Sequence, residues 1–237
     1  VLFRSMPHVM FGGLAHEQAY RLASRLAALL PGDLERVFFS DSGSVAVEVA
    51  IKMALQYWMN RGVKGKRKLL AFGGAYHGDT FATMAVCDPD EGMHAMFSGA
   101  LAEHLIADLP RDENDMELLR ALVATHRDEL AAIIVEPLVQ GAGGMIFHDA
   151  AVLRRLRALA DEFDLLLIFD EIFTGFGRAG AMFACEASGV TPDIVTLSKA
   201  LTGGAAPLAA TVARKRVFDA FWSDEPSPAL MHGPPYI

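Results

Sequence analysis

The chain has 237 residues, enough to bury a large core, and a single large domain is the expected organisation. With 21 Lys and Arg against 29 Asp and Glu its net charge is −8, and its only basic run, residues 64–68, is short, which argues against a nucleic-acid partner. Hydrophobic residues make up 52% of the chain, yet charge, Gly or Pro interrupts every apolar run well short of the ~20 residues of a spanning helix, so a soluble protein with no membrane partner is expected.

Residues 1–5 read as a translated sequencing artefact and are set aside; the remainder is expected to be an internal piece of a longer protein. A helical period covers residues 16–30, and the apolar run at 37–39 reads as a strand. Directly after it the small polar cluster SDSGS leads into a helix over 44–60, on which Val47, Ile51, Ala54, Leu55 and Trp58 share one stripe. The first turn of that helix presents free backbone N–H groups, Gly43 permits close approach, and Ser42 and Ser44 add hydroxyls: a cradle suited to a phosphate. Ordinary helix capping explains the same three residues.

The strand at 69–72 is followed by GGAYHGDT, a Gly-rich loop in which Tyr76, beside His77, either stacks on a planar cofactor or closes the core beneath a loop. Next come a helix at 117–126 and a strand at 131–135, which ends directly at Glu136. A helix at 150–163 precedes the strand 165–169, which ends at Asp170. Beyond the strand at 194–197 lies Lys199, within small residues that leave room for a ligand, and a last strand covers 208–212. This alternation, with strands apolar throughout, predicts an α/β fold with a mostly parallel sheet and helices on both faces. Ligands bind beyond the carboxyl ends of such strands, where the chemical residues stand. There is no composition break, repeat or low-complexity linker to mark a second domain.

An Asp at the tip of a five-residue apolar strand needs a cationic partner, because water reaches the site poorly and an unpaired carboxylate is costly there. A protonated pyridine nitrogen would serve, and would keep its ring electron-withdrawing; a helix N-cap is the competing reading of Asp170. Burial of Lys199 would turn its amine into a nucleophile and proton shuttle, whereas the competing reading is a surface lysine lying along apolar neighbours. His16, His94, His104, His126 and His148 show no ligand spacing, and no metal is expected. Cys87 and Cys185 lie far apart and outside any Cys-x-x-Cys pair, which suits a reducing cytoplasm. No Gly-x-Gly-x-x-Gly turn follows the first strand, which argues against a dinucleotide-binding oxidoreductase. A purely structural or dimer-contact role is the remaining non-enzymatic reading.

Taken in order, SGS before a helix, YHG, EPLVQGAGG, DEIFTGFGRAG, LSKALTGG and MHGPPY resemble the motif series of class III pyridoxal-phosphate aminotransferases, across about residues 11–236. The resemblance implies a fold type I large domain over residues 6–237 with the small domain mostly absent, pyridoxal 5'-phosphate as cofactor, and an obligate homodimer with active sites at the subunit interface. Residue by residue it implies Lys199 as the lysine that holds the cofactor, Asp170 as partner of the pyridine nitrogen, and Gly43 with Ser44 as the phosphate-binding pair. Tyr76 would lie over the ring and face substrate, Glu136 would stand near the phenolic oxygen, and Ile172 would pack beneath the ring. Gly233, Pro234 and Pro235 match positions that reach into the neighbouring subunit's site, but the family usually has Thr at the last of these, and Pro235 has no hydroxyl for a phosphate. DSGSVAVEVAIKMALQYW, YHGDTFATMAVCDP, FACE and LMHGPPY are most similar to the branch that moves the amino group of S-adenosylmethionine to 8-amino-7-oxononanoate in biotin synthesis, in a two-stage ping-pong transfer. A branch acting on ornithine, 4-aminobutyrate or another omega-amino acid is the alternative.

Overall fold

A computed structural model describes residues 15–89, 92–97, 99–224 and 228–232. In chain order the elements are α1 (Glu17–Leu29), β1 (Leu34–Ser40), α2 (Gly43–Asn60), β2 (Lys68–Phe72), α3 (Phe81–Met84), β3 (Leu105–Ala107), α4 (Glu113–His126), β4 (Leu130–Val135), β5 (Val139–Gln140), β6 (Ile146–Phe147), α5 (Ala150–Glu162), β7 (Leu166–Asp170), α6 (Ala184–Ser188), β8 (Ile194–Leu197), β9 (Ala209–Arg214) and α7 (Lys215–Asp219). Seven strands form one sheet in the order β1-β9-β8-β7-β4-β2-β3, and β5 pairs with β6 in a small hairpin. The pairings from β8 to β3 are all parallel, and β9 is antiparallel to both of its neighbours, so it alone runs against the other six. This is the mostly parallel α/β architecture that the alternation predicts.

Strand residues divide by parity between the two faces. In β4, Ile133 and Val135 point to the face covered by α1, α4 and α5, and Ala132 and Ile134 to the face covered by α2 and α7; in β7, Leu167 and Phe169 oppose Leu166 and Ile168 in the same way. Both faces are dry, which is why these strands read as unbroken apolar runs. The buried surface of α2 is wider than the stripe read from sequence: Ala46, Val49, Ala50, Met53 and Tyr57 are buried as well, while Leu55 is only half-buried. Trp58 anchors the helix to the sheet, donating from its indole N–H to the Ala131 carbonyl at 2.9 Å.

Two elements start earlier than expected, one because of a side-chain cap and the other because of strand pairing. α4 begins at Glu113, four residues before the apolar period, because the Asp112 carboxylate accepts the Asp115 N–H at 2.9 Å and caps the extra turn. β1 is longer than residues 37–39 because its ladder with β9 runs from Leu34 to Ser40. No helix among the described residues is long and apolar enough to cross a membrane.

Candidate active site

Connections leaving the carboxyl ends of β1, β2, β4, β7 and β8 meet in one cavity of about 470 Å³. Gly43 and Ser44 come to it from β1, Tyr76 and His77 from β2, Glu136 from β4, Asp170 and Ile172 from β7, and Lys199 from β8. Every expected site residue among the described ones lines this cavity. Gly233, Pro234 and Pro235 lie outside the described residues.

β7 and β8 are adjacent and parallel, with Asp170 in register with Thr196, so Lys199 follows the strand next to the one that Asp170 ends. The Asp170 side chain is 4% exposed. Its Oδ1 accepts the Ile172 N–H at 3.2 Å and the Thr196 hydroxyl at 3.1 Å, and its Oδ2 lies 2.8 Å from Nδ1 of the buried His77. The Ile172 contact is a local turn bond and not the helix N-cap of the competing reading, since the next helix begins only at Ala184. Thr196, from β8, and His77, from the loop after β2, however, reach Asp170 across the sheet and fix its carboxylate in the cavity.

At the amino end of α2, the Ser42 hydroxyl oxygen accepts the Val45 N–H at 3.3 Å and the Ser44 hydroxyl oxygen accepts the Asp79 N–H at 3.1 Å. Each hydroxyl therefore keeps its own proton to donate. A side chain at Gly43 would sit 3.0 Å from Ile172 Cδ1, so glycine is what lets the helix start pack against the β7 connection. The pair presents donors where the α2 dipole is positive, the arrangement that binds an anion.

Glu136 ties two loops to the cavity: it accepts the Tyr76 N–H at Oε2 and the Gly141 N–H at Oε1, both at 3.1 Å. Burial pushes its carboxyl above the usual carboxylate range, Asp170 adds to the rise, and His77 with the two backbone donors opposes it. The Tyr76 phenol donates to Asp79 at 2.9 Å and is pushed up to about 12, by burial first and by Asp79 next, so it remains a neutral hydroxyl at physiological pH.

Lys199 departs from expectation. Its side chain is exposed, so this chain alone does not supply the burial that was to activate the amine. Its backbone is instead the unusual feature, with φ at 41°, in the left-handed region that few non-glycine residues adopt. Sequence reasoning also left His77, Thr196 and Glu171 without roles. Glu171 is fully buried and accepts the Ala184 and Cys185 N–H groups at 2.7 and 2.8 Å, which fastens the connection after β7 to the start of α6.

The class of architecture to which this sheet and its helices conform is fold type I, that of solved pyridoxal-phosphate-dependent transaminases. The Aminotransferase class-III family matches residues 3–237, and the chain belongs to that family. Among its relatives, the adenosylmethionine-8-amino-7-oxononanoate aminotransferase of Mycobacterium leprae (strain TN) is 52% identical, across 98% of this chain and 54% of that protein. The protein of the same name from Corynebacterium glutamicum is 46% identical, across 98% and 56%. The crystal structure of the Methanocaldococcus jannaschii adenosylmethionine-8-amino-7-oxononanoate aminotransferase superposes with a TM-score of 0.89 at 35% identity, covering 95% of this chain and 52% of that one. An amine transaminase from an uncultivated Pseudomonas species, solved with PLP bound, gives 0.85 at 37% identity, covering 94% and 54%. The chain thus spans about half the length of the curated relatives it matches.

Proposed function

We propose that this protein transfers the amino group of S-adenosylmethionine to 8-amino-7-oxononanoate, with pyridoxal 5'-phosphate as cofactor, to give 7,8-diaminononanoate in biotin synthesis. The observation that carries the reading is the placement of an amine, Lys199, and a buried carboxylate, Asp170, at the ends of adjacent parallel strands in one cavity. The names of relatives at 52% and 46% identity supply the substrates.

The residues present fit the cofactor. The Asp170 carboxylate, held from two sides, would pair with a protonated ring nitrogen, and the start of α2, which brings Gly43 and the Ser44 hydroxyl into the same cavity, would take a phosphate. When bound, pyridoxal phosphate supplies an electron-withdrawing ring that stores the charge left on proton removal and carries the amino group between the two half-reactions. In this reading Asp170 keeps its charge beside the ring nitrogen, and the Gly43 and Ser44 donors hold the phosphate. The Lys199 Nζ would hold the cofactor and, when free, would carry a proton to and from the substrate carbon next to the transferred nitrogen. Tyr76 covers one face of the ring and meets substrate, Ile172 packs on the other, and Glu136 stands near the phenolic oxygen while holding the Tyr76 loop in place. Gly233, Pro234 and Pro235 are assigned to the neighbouring subunit's site in a cytoplasmic homodimer, with no phosphate hydroxyl at the last of them.

Borohydride reduction in the presence of pyridoxal phosphate, followed by peptide mapping, should place the label on Lys199. In a separate, unreduced sample loaded with pyridoxal phosphate, S-adenosylmethionine should convert the bound cofactor's absorbance, and ornithine and 4-aminobutyrate should not. Absence of a label on Lys199 overturns the cofactor assignment; conversion by ornithine or 4-aminobutyrate alone overturns the substrate.

A further inference from the structure

Along one edge of α2, Lys52, Gln56 and Asn60 stand four residues apart, and all three reach the distant segment 228–232. Gln56 uses both ends of its amide: Nε2 donates to the Ala229 carbonyl at 2.7 Å, and Oε1 accepts the Met231 N–H at 3.0 Å. Ala229 and Met231 flank Leu230, so the amide grips the backbone on both sides of that residue, as a neighbouring strand would. Asn60 Nδ2 donates to the Pro228 carbonyl at 2.8 Å and to the Ala220 carbonyl at 3.0 Å. Lys52 adds longer contacts, to the Met231 carbonyl at 3.5 Å and to His232 Nδ1 at 3.3 Å. Burial, and next the Lys52 ammonium group, hold the His232 imidazole below its usual value, so at neutral pH the ring carries no charge to repel that neighbour.

A buried amide is costly unless both of its ends are bonded, and Gln56 is only 9% exposed. It satisfies both ends on a stretch whose side chains lie largely outside the core: Met231 is 62% exposed and Ala229 is exposed, while Leu230 packs on the core beneath. The clamp therefore specifies the path of the backbone more than it buries side chains. Directly after it come Gly233, Pro234 and Pro235, assigned above to the neighbouring subunit's site. Three residues of chain span at most about 11 Å, so the place of His232 bounds where Pro235 can reach. The amino end of the same helix carries the Gly43 and Ser44 cradle of its own cavity, about 18 Å from Gln56 along the axis.

We infer that Gln56 is a positioning residue that acts in trans: by clamping the main chain of residues 228–232 to its own α2, it sets the path by which Gly233, Pro234 and Pro235 reach the neighbouring subunit's cofactor. Each α2 thus serves two sites, its own at the amino end and the neighbour's through the segment held near its carboxyl end. The inference rests on the assignment of residues 233–235 to the neighbouring subunit, and it adds which side chain governs that reach and in which subunit its loss is felt.

Mixed dimers separate this role from an effect of Gln56 on the cavity of its own subunit. Co-expression under two affinity tags isolates them, and Lys199→Ala in one subunit leaves a single Lys199 per dimer for the borohydride label. In the first dimer one subunit carries Lys199→Ala together with Gln56→Met and the other is unsubstituted. In the second, one subunit carries Lys199→Ala and the other carries Gln56→Met. Met keeps the length of Gln without its amide, and both dimers contain the same substitutions, so a general loss of stability is common to the two. The first should need about tenfold more pyridoxal phosphate for half-maximal labelling than a reference dimer with Lys199→Ala alone, and the second should match that reference. Weakening confined to the second dimer, equal weakening in both, or none in either overturns the inference. A reference dimer that takes no label on Lys199, or subunits that do not associate, instead overturns the cofactor or subunit assignment beneath it, so the failures are distinguishable.

Discussion

Burial pushes the carboxyls of Glu136 and Glu171 upward, against backbone N–H groups that favour their charged forms. A carboxyl whose folded value lies above its unfolded one holds its proton more tightly in the native state. Its stabilising contribution is complete below the ordinary carboxylate range and is lost as pH rises through the raised value. Asp115, Glu129 and Glu162 are pulled down by Arg111, Lys68 and Arg120 and contribute in the opposite sense, but they lie half-buried or exposed at the surface, where solvent screens them. His104 and His148, held below the usual imidazole value by burial, act in the opposite sense, so the Glu136 contribution is isolated by comparison: relative to the parent, Glu136→Gln should gain in thermal midpoint as pH is raised from 4.5 toward neutrality. Identical slopes in calorimetric scans of parent and variant would refute this assignment. Lys199, Asp170 and Glu136 were legible in the sequence because each stands directly after an apolar run. Thr196 was not, since its bond to Asp170 depends on which strands are neighbours, and no spacing along the chain encodes that. The exposure of Lys199 was equally hidden: small apolar neighbours in sequence do not reveal a side chain that projects into a cavity.

The hairpin of β5 and β6 packs its turn against the loop that carries Tyr76 and His77. A side chain at Gly143 would come within 1.9 Å of the Gly74 carbonyl oxygen, so two stretches of backbone touch there with no space for a methyl group. Gly143→Ala should force them apart, lower stability by about 2 kcal/mol, and weaken pyridoxal-phosphate binding because the Tyr76 loop moves with Gly74. Unfolding and cofactor titrations that match the parent would show that the hairpin is not a support for the site. This hairpin was invisible to sequence periodicity: each of its strands has two residues and β3 has three, too few for alternation to register. The long elements were readable for the opposite reason. β4 and β7 are buried on both faces and present runs that no surface loop would carry.

Across the whole molecule the two ends of the sheet carry different burdens. Opposite the cavity, at the amino end of β8, Asp193 is fully buried and accepts the Leu167 N–H at 2.9 Å together with Arg157 at 2.9 Å and Arg216 at 2.7 Å. Asp193→Asn leaves Arg216 without its anion and Arg157 with Asp161 alone, and should cost about 3 kcal/mol, lowering the melting temperature by roughly 6–12 °C. Protein that remains folded should bind pyridoxal phosphate as the parent does, because the substitution lies at the far end of the strands; a matching loss of affinity would show the two ends to be coupled. The reversed direction of β9 matters at the other end. Since β9 starts beside the point where β8 stops, residues 198–208 turn back at once, and the Ser198 hydroxyl closes the base of that link on the Leu208 carbonyl at 3.1 Å. A parallel successor would have required a long crossover to the opposite edge. Lys199 therefore stands on a link whose two ends are joined to each other, one residue beyond the bond that closes it, with its exposed side chain lining the cavity.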